Sequence, residues 1–228
     1  MDAIGLIPAR GGSKSVPRKN LAMVAGKPLL EWTVESARAS RSLRSVTVST
    51  DSSEIEDLAT ALGADVLRRP SELAADDTPM LDVVLHALAK LDPCDAVVLL
   101  QPTSPLRRAE HIDGALRILA ETGADSVVSV MHVPHRYHPS ALLQLVDDRL
   151  VPITEGSVVS RRQDLPHLYA RNGPAVLAVR SDVVRQARSL YGSDSRPYRM
   201  EPEDSVDIDE PFDLEVAELL LSRRGAWQ

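Results

Sequence analysis

Short apolar runs and longer amphipathic ones alternate along most of the chain. Ile4 to Ile7, Val46 to Thr50, Ala96 to Leu100, Ser126 to Met131 and Ala175 to Val179 are mostly apolar or β-branched runs of strand length. Between them, Pro28 to Ala39, Ser53 to Leu62, Met80 to Leu91 and Glu110 to Glu121 repeat their apolar positions at helical spacing. Pro28 suits a first turn, and Gly63 and Gly123 are placed as stops. This β-α-β-α order predicts an α/β fold, a mainly parallel sheet with helices on both faces. Ligands of such sheets lie beyond the carboxyl ends of the strands. That rule gathers three polar stretches: the loop after the first run, Thr50-Asp51, and Gln101-Pro102-Thr103-Ser104-Pro105.

The alternation fails from about His132 to Arg171. This segment holds Pro134, Pro139, Pro152 and Pro166, a predicted hairpin from Leu142 to Ile153 turning at Asp147-Asp148, and the polar run Thr154 to Gln163. Forty residues without a clear helix are too many for a plain connection, so the stretch predicts an arm with a role of its own. Its Leu142, Leu143, Leu145, Val146, Leu150, Val151 and Ile153 are too apolar for a loop left in solvent, and they predict a homodimer contact.

With 228 residues, one domain spanning 1–228 with the arm at 132–171 inside it is expected. The formal net charge of −7 provides no global positive field for a nucleic-acid backbone. The lone Cys94 excludes an intrachain disulfide and a cysteine-rich zinc cluster. No apolar run approaches the ~18 residues of a membrane span and no signal-peptide core is seen, so no membrane partner and a cytoplasmic location are expected. Against this acidic background the loop from Ile7 to Asn20 stands out, with Arg10, Lys14, Arg18 and Lys19 placed around Gly11 and Gly12. It reads as a phosphate cradle or as a solvated basic loop, and it fits neither the Walker A spacing nor the dinucleotide fingerprint.

Five separated blocks decide between these. They are Arg10 to Asn20; Arg69-Pro70-Ser71-Glu72-Leu73 with Asp77-Thr78; Leu100 to Arg107; Arg162 to Pro166 with Asn172-Gly173; and Asp204 to Asp209. In this order they resemble the acylneuraminate cytidylyltransferases, the CMP-N-acetylneuraminic acid synthetases, over nearly the whole chain. The resemblance implies a Rossmann-like nucleotidyltransferase fold with a dimerisation arm that reaches towards the partner's active site. It also implies a reaction in which a hydroxyl of a small anionic acceptor attacks the α-phosphorus of CTP and pyrophosphate leaves.

Carried over by position, Arg10 and Lys19 act on the triphosphate, with Lys19 at the α-phosphate, and Ala9, Gly11, Gly12 and Ser13 complete the cradle. Asn20 matches the ribose position and Arg69 the cytosine edge, with a salt bridge to Glu72 as the structural alternative for Arg69; Asp77 and Thr78 complete the nucleotide set. Lys14 and Arg18 are left open between phosphate contact and solvation, and Thr103 and Ser104 between the site and capping the next helix. Gln101 matches an acceptor position, and Arg162 and Asn172 match positions at the acceptor or the phosphate, Arg162 across a dimer interface. The pattern departs at two acceptor positions, where a lysine and a tyrosine of the sialic acid enzymes become Ala141 and Val176. The acceptor expected is therefore a sialic acid-like nonulosonic acid other than N-acetylneuraminate. The alternatives are a phosphonate acceptor, or a sugar-1-phosphate nucleotidyltransferase activity.

Asp207 and Asp209 alternate with Val206 and Ile208, which places both carboxylates on one face of an extended segment. Two carboxylates this close to a triphosphate require a cation, and Mg²⁺ commonly binds through one or two carboxylates plus substrate phosphates. The alternative is that one of them, Asp209 in particular, caps the helix opened by Pro211.

Overall fold

The computed structural model describes residues 1–13, 15–153 and 165–225. In chain order they form β1 (Ala3–Pro8), β2 (Met23–Val24), β3 (Lys27–Pro28), α1 (Leu29–Arg38), β4 (Ser45–Thr50), α2 (Ser53–Ala61), β5 (Asp65–Arg68), α3 (Met80–Lys90) and β6 (Ala96–Leu99). There follow α4 (Ala109–Thr122), β7 (Ser126–His132), β8 (Leu143–Val146), β9 (Arg149–Pro152), β10 (Tyr169–Arg171), β11 (Leu177–Arg180), α5 (Ser181–Ala187), β12 (Ser195–Arg199) and α6 (Pro211–Gly225).

Every residue of β1 is buried, which is why it reads as an unbroken apolar run. It lies between β4 and β6, parallel to both, and β5 extends the sheet in parallel beyond β4. On the other side β11 runs antiparallel between β6 and β7, and β12 lies parallel along β7. Val130 of β7 pairs with Arg171 of β10 on one edge and Arg199 of β12 on the other. β10 and β11 therefore share an edge of β7, and the chain leaves that ladder between Arg171 and Leu177. Among the described strands only these two oppose the rest, so the sheet is mainly parallel, as expected.

Side chains alternate across the sheet. Ala3 and Ile7 point into a cluster with Leu30 and Val34 of α1, Ile55 of α2, and Ile112 and Leu119 of α4. Ile4 and Leu6 point the other way, onto Val84 and Leu88 of α3 and Val184 of α5. Burial of each such Leu or Ile side chain is worth ~1.5–3 kcal/mol, and these two layers hold the sheet. A third, smaller cluster joins Val24, Leu29, Leu106, Ile208, Ala217 and Leu221, so α6 packs beneath the loop after β6 and the acidic segment.

The predicted helices form within a residue or two of their expected bounds, and Gly63 and Gly123 end α2 and α4 at φ of 73° and 66°. The elements that periodicity did not predict are β2, β3, β5, β10, β12 and α5, β2 and β3 being two residues each. β5 and β12 are edge strands with no buried residue, and β12 contains Pro197, so neither shows an apolar run. α5 is seven residues long, too short for periodicity. In the arm, β8 and β9 form the predicted hairpin, with Asp147 and Asp148 at φ of 47° and 59°, the geometry of a tight two-residue turn. The apolar side chains from Leu142 to Ile153 named above are 38 to 67% exposed. No helix among the described residues is long and apolar enough to cross a membrane.

Candidate active site

The loops that follow β1, β5 and β6 meet at the carboxyl ends of the parallel strands, where the topology calls for a ligand. They enclose, with the acidic segment, a cleft of about 410 Å³. Of the residues singled out in the sequence, Arg10, Gly12, Ser13, Lys19, Asn20, Arg69, Gln101, Asp207 and Asp209 all line it. Pro8, Met80, Pro102, Thr103 and Gly173 line it too. Met80 carried no sequence signal because it reads as the first turn of a helix; only the fold brings that helix start to the cleft.

The basic loop is held from within. Asn20 Nδ2 donates to Arg10 O at 2.8 Å, closing the loop on its own start, and Gly11 N–H donates to Asp51 Oδ1 at 2.9 Å. Arg18 adopts a left-handed backbone at φ 52°, which swings its side chain outward to pair with Glu54 and leaves Lys19 facing the cleft. Arg18 thus pairs with α2 at the surface and is not among the residues that line the cleft. Lys19 is only 12% exposed, and its Nζ donates to Ile208 O at 2.7 Å while lying 3.5 Å from Asp209 Oδ1. Arg10 Nη1 lies 2.5 Å from Asp76 Oδ1, the carboxylate beside the Asp77 singled out in the sequence. Arg69 is buried: its Nε and Nη2 donate to Ser49 Oγ and Ser49 O at 3.2 and 2.7 Å, and Nη1 to Leu73 O at 3.3 Å. Burial lowers its pKa, yet it remains a cation beside the cleft.

The acidic segment has no strand partner, contrary to the extended strand end expected from its alternation. It is anchored instead by Ile208 N–H on Thr103 O at 2.8 Å and by the fully buried Ile208 side chain. Just before it, Asp204 is buried among Arg108, Arg224 and His111. Burial holds the His111 pKa down to about 4, which leaves the ring neutral; its Nδ1 accepts from Arg108 N–H at 3.1 Å, so the proton lies on Nε2, 3.3 Å from Asp204 Oδ2. Gly173 sits at φ 110°, and a Cβ there would come within 3.0 Å of the Asp207 carboxylate, so glycine is required on both counts.

The two aspartates differ. The Asp209 side chain is 78% exposed, whereas Asp207 Oδ1 is buried without a hydrogen-bond partner. Burial pushes the Asp207 carboxyl above the usual range; the Thr103 hydroxyl nearby offsets part of that rise, and the Asp209 charge adds to it. Thr103 Oγ1 is itself buried without a formed bond. Neither aspartate caps α6: Asp213 Oδ2 accepts from the N–H groups of Asp209 and Glu210 at 2.9 and 2.8 Å. An orphaned buried carboxylate oxygen beside a second carboxylate and a phosphate-type basic loop is the donor chemistry that a hard divalent cation fits.

Other predicted positions lie off the cleft lining. Ala9 is fully buried, and Gly11 is turned to Asp51. Asp77 lies on the surface, and Thr78 Oγ1 donates to Glu72 O at 3.4 Å. Asn172 is buried: Ser129 Oγ donates to its Oδ1 at 2.6 Å, and its Nδ2 donates to Ser205 Oγ at 3.0 Å, so its amide braces the strand break against the acidic segment. Val176 faces the core between β6 and β7, not the cleft, because its position follows the break in the ladder, while Ala141 is on the exposed arm. Arg162 and Lys14 fall outside the described residues.

A family model described as cytidylyltransferase matches residues 4–224. The chain is 35% identical over 221 residues to N-acylneuraminate cytidylyltransferase A of Danio rerio, covering 96% of this chain and 51% of that protein. It is 33% identical over 215 residues to the N-acylneuraminate cytidylyltransferase of Escherichia coli O18:K1:H7, covering 94% and 51%. The chain thus spans about half the length of the curated relatives it matches. Among solved structures, CMP:2-keto-3-deoxy-manno-octonic acid synthetase complexed with CTP superposes with a TM-score of 0.76 at 20% identity, over 98% of this chain and 100% of that one. The 4-diphosphocytidyl-2C-methyl-D-erythritol synthase of Anaerococcus prevotii superposes with a TM-score of 0.65 at 15% identity, over 97% and 96%. The matched stretch takes in the basic loop, Arg69, Gln101 and the paired aspartates, and with it the chain belongs to the cytidylyltransferase family.

Proposed function

We propose that this protein transfers CMP from CTP to a hydroxyl of an acidic, sialic acid-like sugar and releases pyrophosphate. The observation that carries this reading is the meeting of Arg10 and Lys19 with Asp207 and Asp209 across one cleft of a cytidylyltransferase family member. The chain's part in such a reaction is positioning and charge compensation, because the bond changes occur between substrates. Arg10 and Lys19 face the phosphates from the loop after β1, with Gly12 and Ser13 lining the same cleft. Arg69 stands on the base side, and Asn20 holds the loop shut from the ribose side. Gln101 and Thr103 lie on the opposite wall, on the acceptor side. Asp207 and Asp209 would hold Mg²⁺, which when bound neutralises charge on the phosphate oxygens.

Pyrophosphate release measured for each of the four ribonucleoside triphosphates with N-acetylneuraminate, 2-keto-3-deoxy-manno-octonate, legionaminate, pseudaminate and 2-hydroxyethylphosphonate tests this reading. CTP should support turnover with one of the acidic sugars, and N-acetylneuraminate should be a poor acceptor because Ala141 brings no cation to the arm. Turnover of a sugar 1-phosphate with a nucleotide other than CTP would overturn it.

The exposed apolar hairpin supports a homodimer built on the arm. Sedimentation at micromolar concentration should give twice the chain mass. Leu145→Asp with Leu150→Asp should return the protein to one chain mass, and a wild-type protein sedimenting as one chain contradicts the dimer.

A further inference from the structure

The loop from Gln101 to Arg107 supplies three residues of the cleft wall and ends on Arg107, which is 3% exposed. Arg107 Nη1 donates to Gln101 O at 3.0 Å and to Ala175 O at 2.9 Å, while its Nε and Nη2 are buried without partners. No carboxylate among the described residues offsets its charge, and burial draws its pKa down to about 9. A buried guanidinium without a counter-ion is a costly way to fill space, since an apolar side chain of the same volume would do so without desolvating a charge. What the charge holds are two backbone carbonyls from different elements. One begins the loop that carries Gln101; the other ends the strand break that carries Gly173, pressed against Asp207.

The far side of the same loop is tied separately, by Arg224 Nη1 on Leu106 O and by Ile208 N–H on Thr103 O, both at 2.8 Å. The triphosphate wall, with Arg10 and Lys19, is held by contacts of its own through Asn20 and Asp51, and it shares Ile208 with the Gln101 loop, since Ile208 O accepts from Lys19 Nζ. The two walls thus meet at Ile208, but the bonds of Arg107 itself reach only the Gln101 loop and the break at Ala175, and none of the basic loop.

We propose that Arg107 is a positioning residue for the acceptor half of the cleft, clamping Gln101 against the break at 173–175 so that the acceptor hydroxyl is aligned. The proposal rests on the reading of the cleft given above, in which Gln101 faces the acceptor. Arg107→Met removes the donors and keeps the apolar stem; Arg107→Lys keeps a donor in place. For each, CTP affinity by calorimetry, kcat and KM for the best acceptor of the panel, and amide hydrogen exchange should be measured. In Arg107→Met, acceptor KM should rise roughly tenfold or more while CTP affinity stays within about twofold, since misplacement of a positioning element is felt by the group it aligns. Exchange should quicken at 101–106 and 174–177 and stay unchanged around residues 8–20, and Arg107→Lys should recover most of the acceptor KM. Acceptor and CTP parameters that weaken together, or an acceptor KM that does not move, overturn the proposal. If Arg107→Met does not fold, the same split is read on Arg107→Lys. If wild-type protein turns over no acceptor, the reading of the cleft fails, and the exchange pattern still decides the clamp: unchanged exchange at 101–106 refutes it.

Discussion

Lys19→Ala should lower turnover at saturating CTP by about 10²–10³-fold, the effect of removing one preorganised donor from a developing phosphoryl charge. Lys19 is held at the centre of the cleft by Ile208 O, 2.7 Å away, and by the left-handed turn at Arg18 that separates its direction from that of its neighbour. Its ammonium therefore requires no reorganisation to meet a phosphate. The Lys19 to Leu21 turn has no buried residue, so the alanine variant should melt close to wild type. Lys19→Arg should not restore the rate, because a planar fork does not reproduce a compact point charge in that space. Near wild-type turnover in Lys19→Ala, measured by pyrophosphate release, would remove the basic loop from the account.

Asp207→Asn should abolish divalent-dependent turnover and at the same time stabilise the ligand-free protein at neutral pH. The second effect follows from burial, which pushes the Asp207 pKa up. A carboxyl whose folded pKa lies above its unfolded value binds more protons in the native state. Stability is then greatest below the unfolded value and declines as pH rises through the folded one. At pH 7 the ionised group is a burden that asparagine removes, and the melting temperature should rise by ~2–4 °C for each kcal/mol relieved. The slope of stability against pH over the weakly acidic range should flatten in the same variant. Mg²⁺ with CTP should raise the melting temperature of the wild type and leave that of Asp207→Asn unmoved, a readout independent of catalysis. Asp209→Ala should retain more of this response, since its side chain is mostly in solvent and bears no comparable desolvation. A wild type whose turnover survives excess chelator would refute the metal site.

Much of this was legible in the sequence because the sheet strands are buried on both faces, which writes them as apolar runs, and because the rule of the carboxyl ends turns strand positions into site positions. The basic loop and Gln101 were placed for that reason, whereas Arg69 came from the family resemblance and the two aspartates from their alternation together with that resemblance. The edge strands β5 and β12 were not legible, since half their surface meets water and propensity alone does not mark them. Asn172 and Val176 show another limit. Position in a motif told nothing of side-chain direction, which depends on the break between β10 and β11, and that break turns both inward. Arg107 read as the tail of a motif, and only the fold reveals it as a buried cation joining two distant carbonyls.

The most direct measurement of the central claim is the identity of the bond formed. Phosphorus NMR and mass spectrometry of the reaction of CTP, Mg²⁺ and the preferred acidic sugar should show a phosphodiester of CMP with the sugar and an equal amount of pyrophosphate. Hydrolysis of CTP without a CMP ester, or a nucleoside diphosphate sugar formed from a sugar 1-phosphate, would contradict it.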